Sequence, residues 1–560
     1  MNNHNQQLEI IVIGTIYISF EPLVQVECML IKAGKVSRLG QTAEILNQVQ
    51  LQNELLQEHL KKPGYWELQI DQTKIIKLNE LQMAMPGMID SHVHPQSGGI
   101  QLSRLTIQKY CSWEDAKNAI RNSIEKGEHD KYEWVFAYGY SQGWFKENKQ
   151  NIQELDDVCP EKPLIIMRDD CHAYWCNSKI FEVTQTHQED GIYIEEQMNA
   201  VRKYIPKLSE IEQQNCLLKG LQHLVNYGIV AFQDAAVKEK LFHNYKKLYQ
   251  NQTYGNQLPY CCMSLCWNDL FLEQTQNVDE EVRFETVENQ IKEIRDLNLE
   301  KLYCHSVKIF VDGVVESKTA LMNVKYCQCS HNGQLMIQNV PQIIEGLNDR
   351  GIQAHIHSIG DRATDIVVEA FERISHKLNK NVINYLAHLE FVSPKAIELF
   401  KKLNLGANFS ALWFYESPSL SLMPTCLPQH YMEGMYPIRD LEQCIIGLGS
   451  DWPVSSANPF YAIEVAVTRQ PLGHNQNPIP IGDLKQRITI QQALHYYTEG
   501  SAKLIQKPGF GLLTEGGHAN FIIISQNVLK VNPSEIHQTQ VLSTFIDGVE
   551  VYQSQKLEQI

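Results

Sequence analysis

Two histidines two positions apart, His92 and His94, close the run Pro86-Gly87-Met88-Ile89-Asp90-Ser91-His92-Val93-His94. On a strand they point the same way, so both imidazoles can reach one metal ion. Such a pair alone is commonplace, but four later segments each end an apolar run on a further ligand or proton-transfer group. In Val307-Lys308-Ile309-Phe310-Val311-Asp312-Gly313, the residues Val307, Ile309 and Val311 form one apolar face, and Lys308, Phe310 and Asp312 face the other way. A lysine buried in a barrel interior is expensive to desolvate. Either an ion pair with Asp312 or another interior acid holds it, or it is a neutral amine carbamylated by carbon dioxide, giving a carboxylate able to bridge two cations. Ala354-His355-Ile356-His357 places His357 nearer the strand end, where barrel active sites sit, and His355 deeper, as a packing or supporting residue. Leu386-Ala387-His388 ends another apolar run, and Gly447-Leu448-Gly449-Ser450-Asp451 puts an acid after a strand of small residues. Each histidine singly reads as a satisfied core residue; together the five segments point to a metal site.

The elements that must carry these groups alternate from about Met85 to Ile505, short apolar runs followed by amphipathic stretches, the pattern of βα units. Candidate barrel strands are Met85–His94, Ile229–Asp234, Cys304–Asp312, Ile352–His357, Val382–His388, Leu405–Phe409 and Cys444–Asp451. The interval after the first is too long for a βα connection and holds its own strand-like runs, Trp134–Tyr140, Pro163–Arg168 and Gly191–Ile194. It is read as an inserted cap over about 110–215. Its aromatic residues Trp134, Tyr138, Tyr140, Trp144 and Phe145 line a substrate pocket or form a local core. Leu8–Tyr17, Val24–Lys32 and Lys35–Leu39 read as strands, as do Phe521–Ser525 and Thr544–Tyr552, the last carrying the turn pair Asp547-Gly548. The expected organisation is a β-sandwich from 1–84 and 506–560 around an α/β, distorted (β/α)8 TIM barrel at 85–505.

At 560 residues, 43% hydrophobic and with a formal net charge of -16, the chain is long enough for a barrel with accessory modules. Its acidic balance argues against nucleic-acid binding. The N-terminus lacks a signal-peptide pattern, and no apolar run is long enough to span a bilayer, so a cytoplasmic location without membrane attachment is expected. The 14 scattered cysteines then read as reduced thiols. Cys327-Gln328-Cys329 with His331 has no common zinc-finger spacing and reads as part of a loop over the active-site mouth.

Beyond these local patterns, the chain resembles the amidohydrolase superfamily over nearly its whole length, specifically the amidohydrolase-3 branch of YtcJ-like and N-substituted formamide deformylase-like proteins. The resemblance rests on the Pro86–His94 start, on Lys162-Pro163 through His172-Ala173 with Asn177, and on Gly228–Asp234. It continues through Lys308–Gly313 with Thr319-Ala320, His357-Ser358-Ile359-Gly360-Asp361-Arg362-Ala363, and Gly449-Ser450-Asp451 with Pro453, Asn458-Pro459 and Val467-Thr468-Arg469. It implies that His92, His94, Lys308, His357 and His388 bind metal, with Lys308 as the carbamylated bridge. It implies that Asp451 both binds metal and shuttles the proton, and that His172 reaches toward the substrate from the cap. Ala387, Ser410-Ala411 and Asn520 depart from the branch pattern, which leaves the metal set intact and bears on substrate choice.

The resemblance therefore implies a hydrolase cleaving a small-molecule amide, formamide or cyclic amide with metal-activated hydroxide. An ester hydrolase or deaminase on the same scaffold and a catalytically silent metal-binding barrel are the alternatives. Zinc is the default for so nitrogen-rich a site, with manganese or iron as the other candidates. Lys308 favours two ions over one. A homodimer is an expectation by analogy with the group.

Overall fold

The computed structural model describes residues 9–555 except 52, 131, 146–149, 170–171, 195–196, 256, 269–278, 328, 416–425 and 474–481. Eight parallel strands lie side by side in chain order: β1 (Met88–Val93), β2 (Ile229–Val237), β3 (Tyr260–Cys266), β4 (Leu302–Phe310), β5 (Gln353–Ser358), β6 (Tyr385–His388), β7 (Gly406–Phe409) and β8 (Ile446–Leu448). The ring closes where β8 returns to β1. The Asp451 N–H donates to the His92 carbonyl at 2.8 Å, and the His94 N–H donates to that of Trp452 at 2.9 Å. Helices such as Asp361–Arg373 and Pro394–Leu403 turn their apolar faces onto the strands. This is the expected (β/α)8 barrel, distorted by the brevity of its last three strands.

Two strand assignments change. The run expected as one strand, Met85–His94, divides at Gly87 into Met83–Pro86 in an outer sheet and β1 in the barrel. Gly87 sits where a Cβ would meet Val230 Cγ1 at 2.3 Å, so only glycine lets the chain pass between the two sheets there. Cys261, Cys262 and Cys266 read from sequence as packing in an apolar strand, and β3 holds them. It is missing from the expected barrel set because its residues, Tyr-Cys-Cys-Met-Ser-Leu-Cys, carry no ligand at their end and no alternation. All seven are buried.

The outer sheet has nine strands and draws them from both ends of the chain. Phe521–Ile524 pairs antiparallel with Met83–Pro86, and Val541–Ile546 and Val549–Gln553 form a hairpin beside it, turning at Asp547-Gly548. Side-chain alternation gives this sheet two jobs. Met83, Met85, Ile522 and Ile524 join the barrel core, whereas Ala84, Phe521 and Ile523 join the sheet's own core. Between β1 and β2 lies a five-stranded sheet of Leu105–Thr106, Val135–Tyr140, Leu164–Arg168, Ala173–Cys176 and Ile192–Ile194. It too buries both faces, Val135, Ala137 and Leu164 on one side and Phe136, Ile165 and Tyr174 on the other.

Candidate metal centre and substrate cavity

Strand register places the expected ligands in two interior layers. Lys308 on β4 lies opposite His355 on β5, which lies opposite Tyr385 on β6. One pleat higher, Phe310 lies opposite His357, and His357 opposite Ala387. His355 is thus the deeper histidine and His357 the one at the strand end.

The tightest convergence of donors is His92, His94 and Asp451. Asp451 Oδ1 lies 3.4 Å from His92 Nε2 and 3.1 Å from His94 Nε2. The His388 ring stands 4.7 Å from that of His92 and 4.5 Å from that of His357, and its buried Nδ1 has no hydrogen-bond partner. His357 Nε2 faces the Gly313 carbonyl at 3.3 Å and Asp312 Oδ1 at 3.9 Å. Lys308, fully buried, donates toward His92 Nε2 at 3.3 Å and His355 Nε2 at 3.5 Å. His388 and Asp451 both hold left-handed backbone, φ 79° and 52°, a strained conformation that aims their side chains inward from the ends of β6 and β8.

Burial dominates the electrostatics. It drives the His92 imidazole down to about 3, the Lys308 charge pushing the same way and Asp451 opposing. His357 and His388 are likewise held well below the usual histidine range, first by burial. Burial would raise Asp451, yet its carboxyl lies well below the usual range because His92, His94 and His388 favour the anion. Burial brings the Lys308 amine down to about 7, against the pull of Asp451, so the neutral form is accessible near neutrality. Neutral imidazoles, an anionic carboxylate and an amine that is easily deprotonated form the donor set a divalent transition metal requires.

Three buried acids support this set. Asp312 does not pair with Lys308: it accepts from the backbone N–H groups of Leu321, Ile359 and Gly360 at 2.8–3.0 Å, anchoring the loops after β4 and β5. Asp90 accepts from Ser450 N (3.0 Å), Ser450 Oγ (2.6 Å) and His92 N (3.2 Å), tying the β8 loop to β1. Asp234 Oδ1 stands 4.0 Å from His94 Nδ1 while Oδ2 accepts from the Tyr245 hydroxyl. Beneath them, His355 Nε2 shares a 2.9 Å hydrogen bond with His92 Nδ1, which turns Nε2 of His92 toward Asp451. The roles of Asp90 and Asp234 escape sequence reading because neither acid shows ligand spacing, and the partners that define them, Ser450 in the loop after β8 and Tyr245 on the helix after β2, are brought in by the fold.

A cavity of about 1050 Å3 opens over this centre. His92, His94, His357, His388 and Asp451 line its floor, and Lys308 lies beneath. His172 of the cap reaches the same cavity, close enough for its charge to bear on His357. Of the cap aromatics, Trp144 reaches the cavity, whereas Trp134 and Tyr140 are buried in the cap's own cores. Trp413 lies flat against His388, rings 5.5 Å apart and 3° from parallel. Cys327, Cys329 and His331 do not assemble a metal cluster among the described residues, and Gln328 between them lies outside those residues.

Comparison with known proteins follows the same lines. A family model described as "Amidohydrolase family" matches residues 82–552. The N-substituted formamide deformylase of Arthrobacter pascens is 21% identical, the match covering 84% of this chain and 88% of that one. Protein LONG AFTER FAR-RED 3 of Arabidopsis thaliana is 21% identical, over 96% of this chain and 90% of its own. Among solved structures, an uncharacterized metal-dependent hydrolase from Pyrococcus horikoshii OT3 superposes with a TM-score of 0.70 at 22% identity, covering 94% of this chain and 99% of that one. Another from Pyrococcus furiosus superposes with a TM-score of 0.69 at 22% identity, covering 93% and 100%.

Proposed function

Because the chain belongs to the amidohydrolase family, we propose that it hydrolyses a non-peptide amide, formamide or cyclic amide at a metal centre held by His92, His94, Lys308, His357, His388 and Asp451. The observation that carries this reading is the convergence of His92, His94 and Asp451 at the floor of a large cavity, with His388 offering an unpaired buried nitrogen beside them. When bound, the metal lowers the pKa of water to about 7 and polarises the scissile carbonyl. Zinc, in two ions, suits this set best.

The chain's own residues supply the rest. Asp451, kept anionic by its imidazole neighbours, takes the proton of the attacking water and passes it to the leaving nitrogen, which departs poorly unless protonated. Asp90 holds the loop on which Asp451 stands. His172 meets the substrate from the cap side. Lys308, buried beneath the centre and readily neutral, is disposed to carbamylation, and its modified form would bridge the two ions. The relative named N-substituted formamide deformylase supports small formamides as the first substrates to try. The test is elemental analysis of the purified protein beside Lys308→Ala. Near two metal equivalents, falling to one or fewer in the variant, is the expected result. One equivalent, indifferent to the substitution, would retire the bridge and leave a mononuclear enzyme. No metal after gentle purification would count against hydrolysis at this site.

A further inference from the structure

Of the four histidines assigned to the metal centre, His388 is the one whose ring is held by no hydrogen bond or ion pair among the described residues. His92 Nδ1 shares a hydrogen bond with His355, His94 Nε2 lies 3.1 Å from Asp451, and His357 Nε2 faces the Gly313 carbonyl. The torsion that turns an imidazole about its Cβ–Cγ bond is broad and roughly two-fold, so without such a partner the ring plane is poorly set. What encloses the His388 ring is other rings. His92 and His357 meet it at 65° and 63°, with centroids 4.7 and 4.5 Å away, and Trp413 lies parallel to it, at 3° and 5.5 Å. His92 and His357 are ligands with partners of their own, whereas Trp413 is a wall that is not a ligand. The indole is itself fixed in place. Trp413 ends the short turn Ala411–Trp413 after β7, where its backbone N–H donates to the Ser410 carbonyl at 2.9 Å. Its side chain packs on the barrel core as well as lining the cavity.

We propose that Trp413 is a positioning residue for His388, its indole face standing in for the hydrogen bond that ordinarily orients a metal-binding imidazole. The proposal rests on the metal centre assigned above and not on which bond is cleaved. A flat partner lying parallel in offset contact restricts the imidazole plane. It also leaves both ring nitrogens without a competing donor or acceptor, so neither is withdrawn from the metal. The indole offers no ligand atom of its own, because its nitrogen is a donor only. A branched apolar side chain would fill much of the same space without constraining the plane.

The test reads the zinc affinity of the protein by competition with a chromophoric chelator, so it needs no substrate. Trp413→Leu is expected to bind zinc about 10–100-fold more weakly, the range for losing an orienting partner. Trp413→Phe, which keeps a flat face, is expected to stay within about threefold of the parent. In a His388→Ala background, Trp413→Leu should change the affinity by less than about twofold, because the indole acts through that ring. A folded Trp413→Leu that binds zinc as the parent does overturns the proposal, whatever stability it loses when metal-free. An equal loss in Trp413→Phe and Trp413→Leu also overturns it, since bulk and not the flat face would then be at work. So does an undiminished loss in the His388→Ala background. If Trp413→Leu does not fold, Trp413→Met takes its place under the same expectations. A parent that binds no zinc removes the metal centre and this proposal with it. A parent that binds zinc and hydrolyses no amide leaves the proposal standing and sinks only the reaction.

Discussion

Burial presses both Asp451 and Lys308 toward their neutral forms, and their neighbours decide the outcome. The facing imidazoles keep Asp451 charged, whereas at Lys308 burial outweighs the pull of Asp451 and the neutral amine is within reach. Replacing Asp451 by Asn removes the proton acceptor while leaving a side chain of the same shape. The expected outcome is a fall in kcat of about 10²–10⁴-fold, the range for a lost acid–base group, with metal content within error of the parent by mass spectrometry. Full turnover in that variant would remove Asp451 from the proton path. At this scale the sequence is readable where chemistry imposes local spacing, as in His92-x-His94, or where a polar group ends an apolar run, as at His357 and His388. It is unreadable where a partnership crosses the barrel. His355 could be placed below His357 from strand alternation, but its hydrogen bond to His92 joins β5 to β1. Asp312, one of the alternative partners for Lys308, instead anchors three backbone amides that no local pattern reveals.

The element that sets the first two histidines is the helix Pro95–Leu102 that follows β1, packed across Glu210–Asn226. Their backbones nearly touch. A Cβ on Gly99 would come within 1.7 Å of the Cys216 carbonyl oxygen, and one on Gly220 within 2.0 Å of that of Pro95. Gly98 faces the Trp452 ring, which stacks on His223 next to Asp451. An alanine in a helix is ordinarily worth up to about 1 kcal/mol over glycine. Here the obstacle is backbone, which cannot step aside, so the clash wins. Gly99→Ala is expected to lose about 1–3 kcal/mol of stability by chemical denaturation, the usual scale of overpacking, and unchanged stability would contradict so close a crossing. The alternation of strands and helices was legible because period-2 and period-3.6 patterns are local. The division at Gly87 and the barrel membership of β3 were not: one depends on what lies across the gap, the other is uniformly buried, so its apolar run marks a strand without showing which sheet it joins.

Across the whole molecule, the proposed ligands come from β1, β4, β5, β6 and the loop after β8, so one bound centre ties together strands far apart in the chain. Stripping the metal should therefore cost global stability and not only activity. At a concentration about 1,000 times the dissociation constant, a bound ion contributes about 4 kcal/mol. For a chain of this size that corresponds to a fall in Tm of roughly 3–4 °C on chelation, reversed by adding the ion back. A melting profile indifferent to chelator would mean that the barrel does not lean on the site. The outer sheet was foreseeable from strand-rich ends flanking a mixed middle, although the direct pairing of Phe521–Ile524 with Met83–Pro86 is a long-range match that composition does not encode.

That pairing also orders events in biosynthesis. The segment leading into the histidine-bearing strand leaves the ribosome long before Phe521–Ile524, the strand that borders it. Until then Met83–Pro86 lacks that neighbour, and the apolar side chains of Met83 and Met85 have no Ile522 and Ile524 to pack beside. The earlier segment must wait, with that side unpaired, until Phe521–Ile524 has been made.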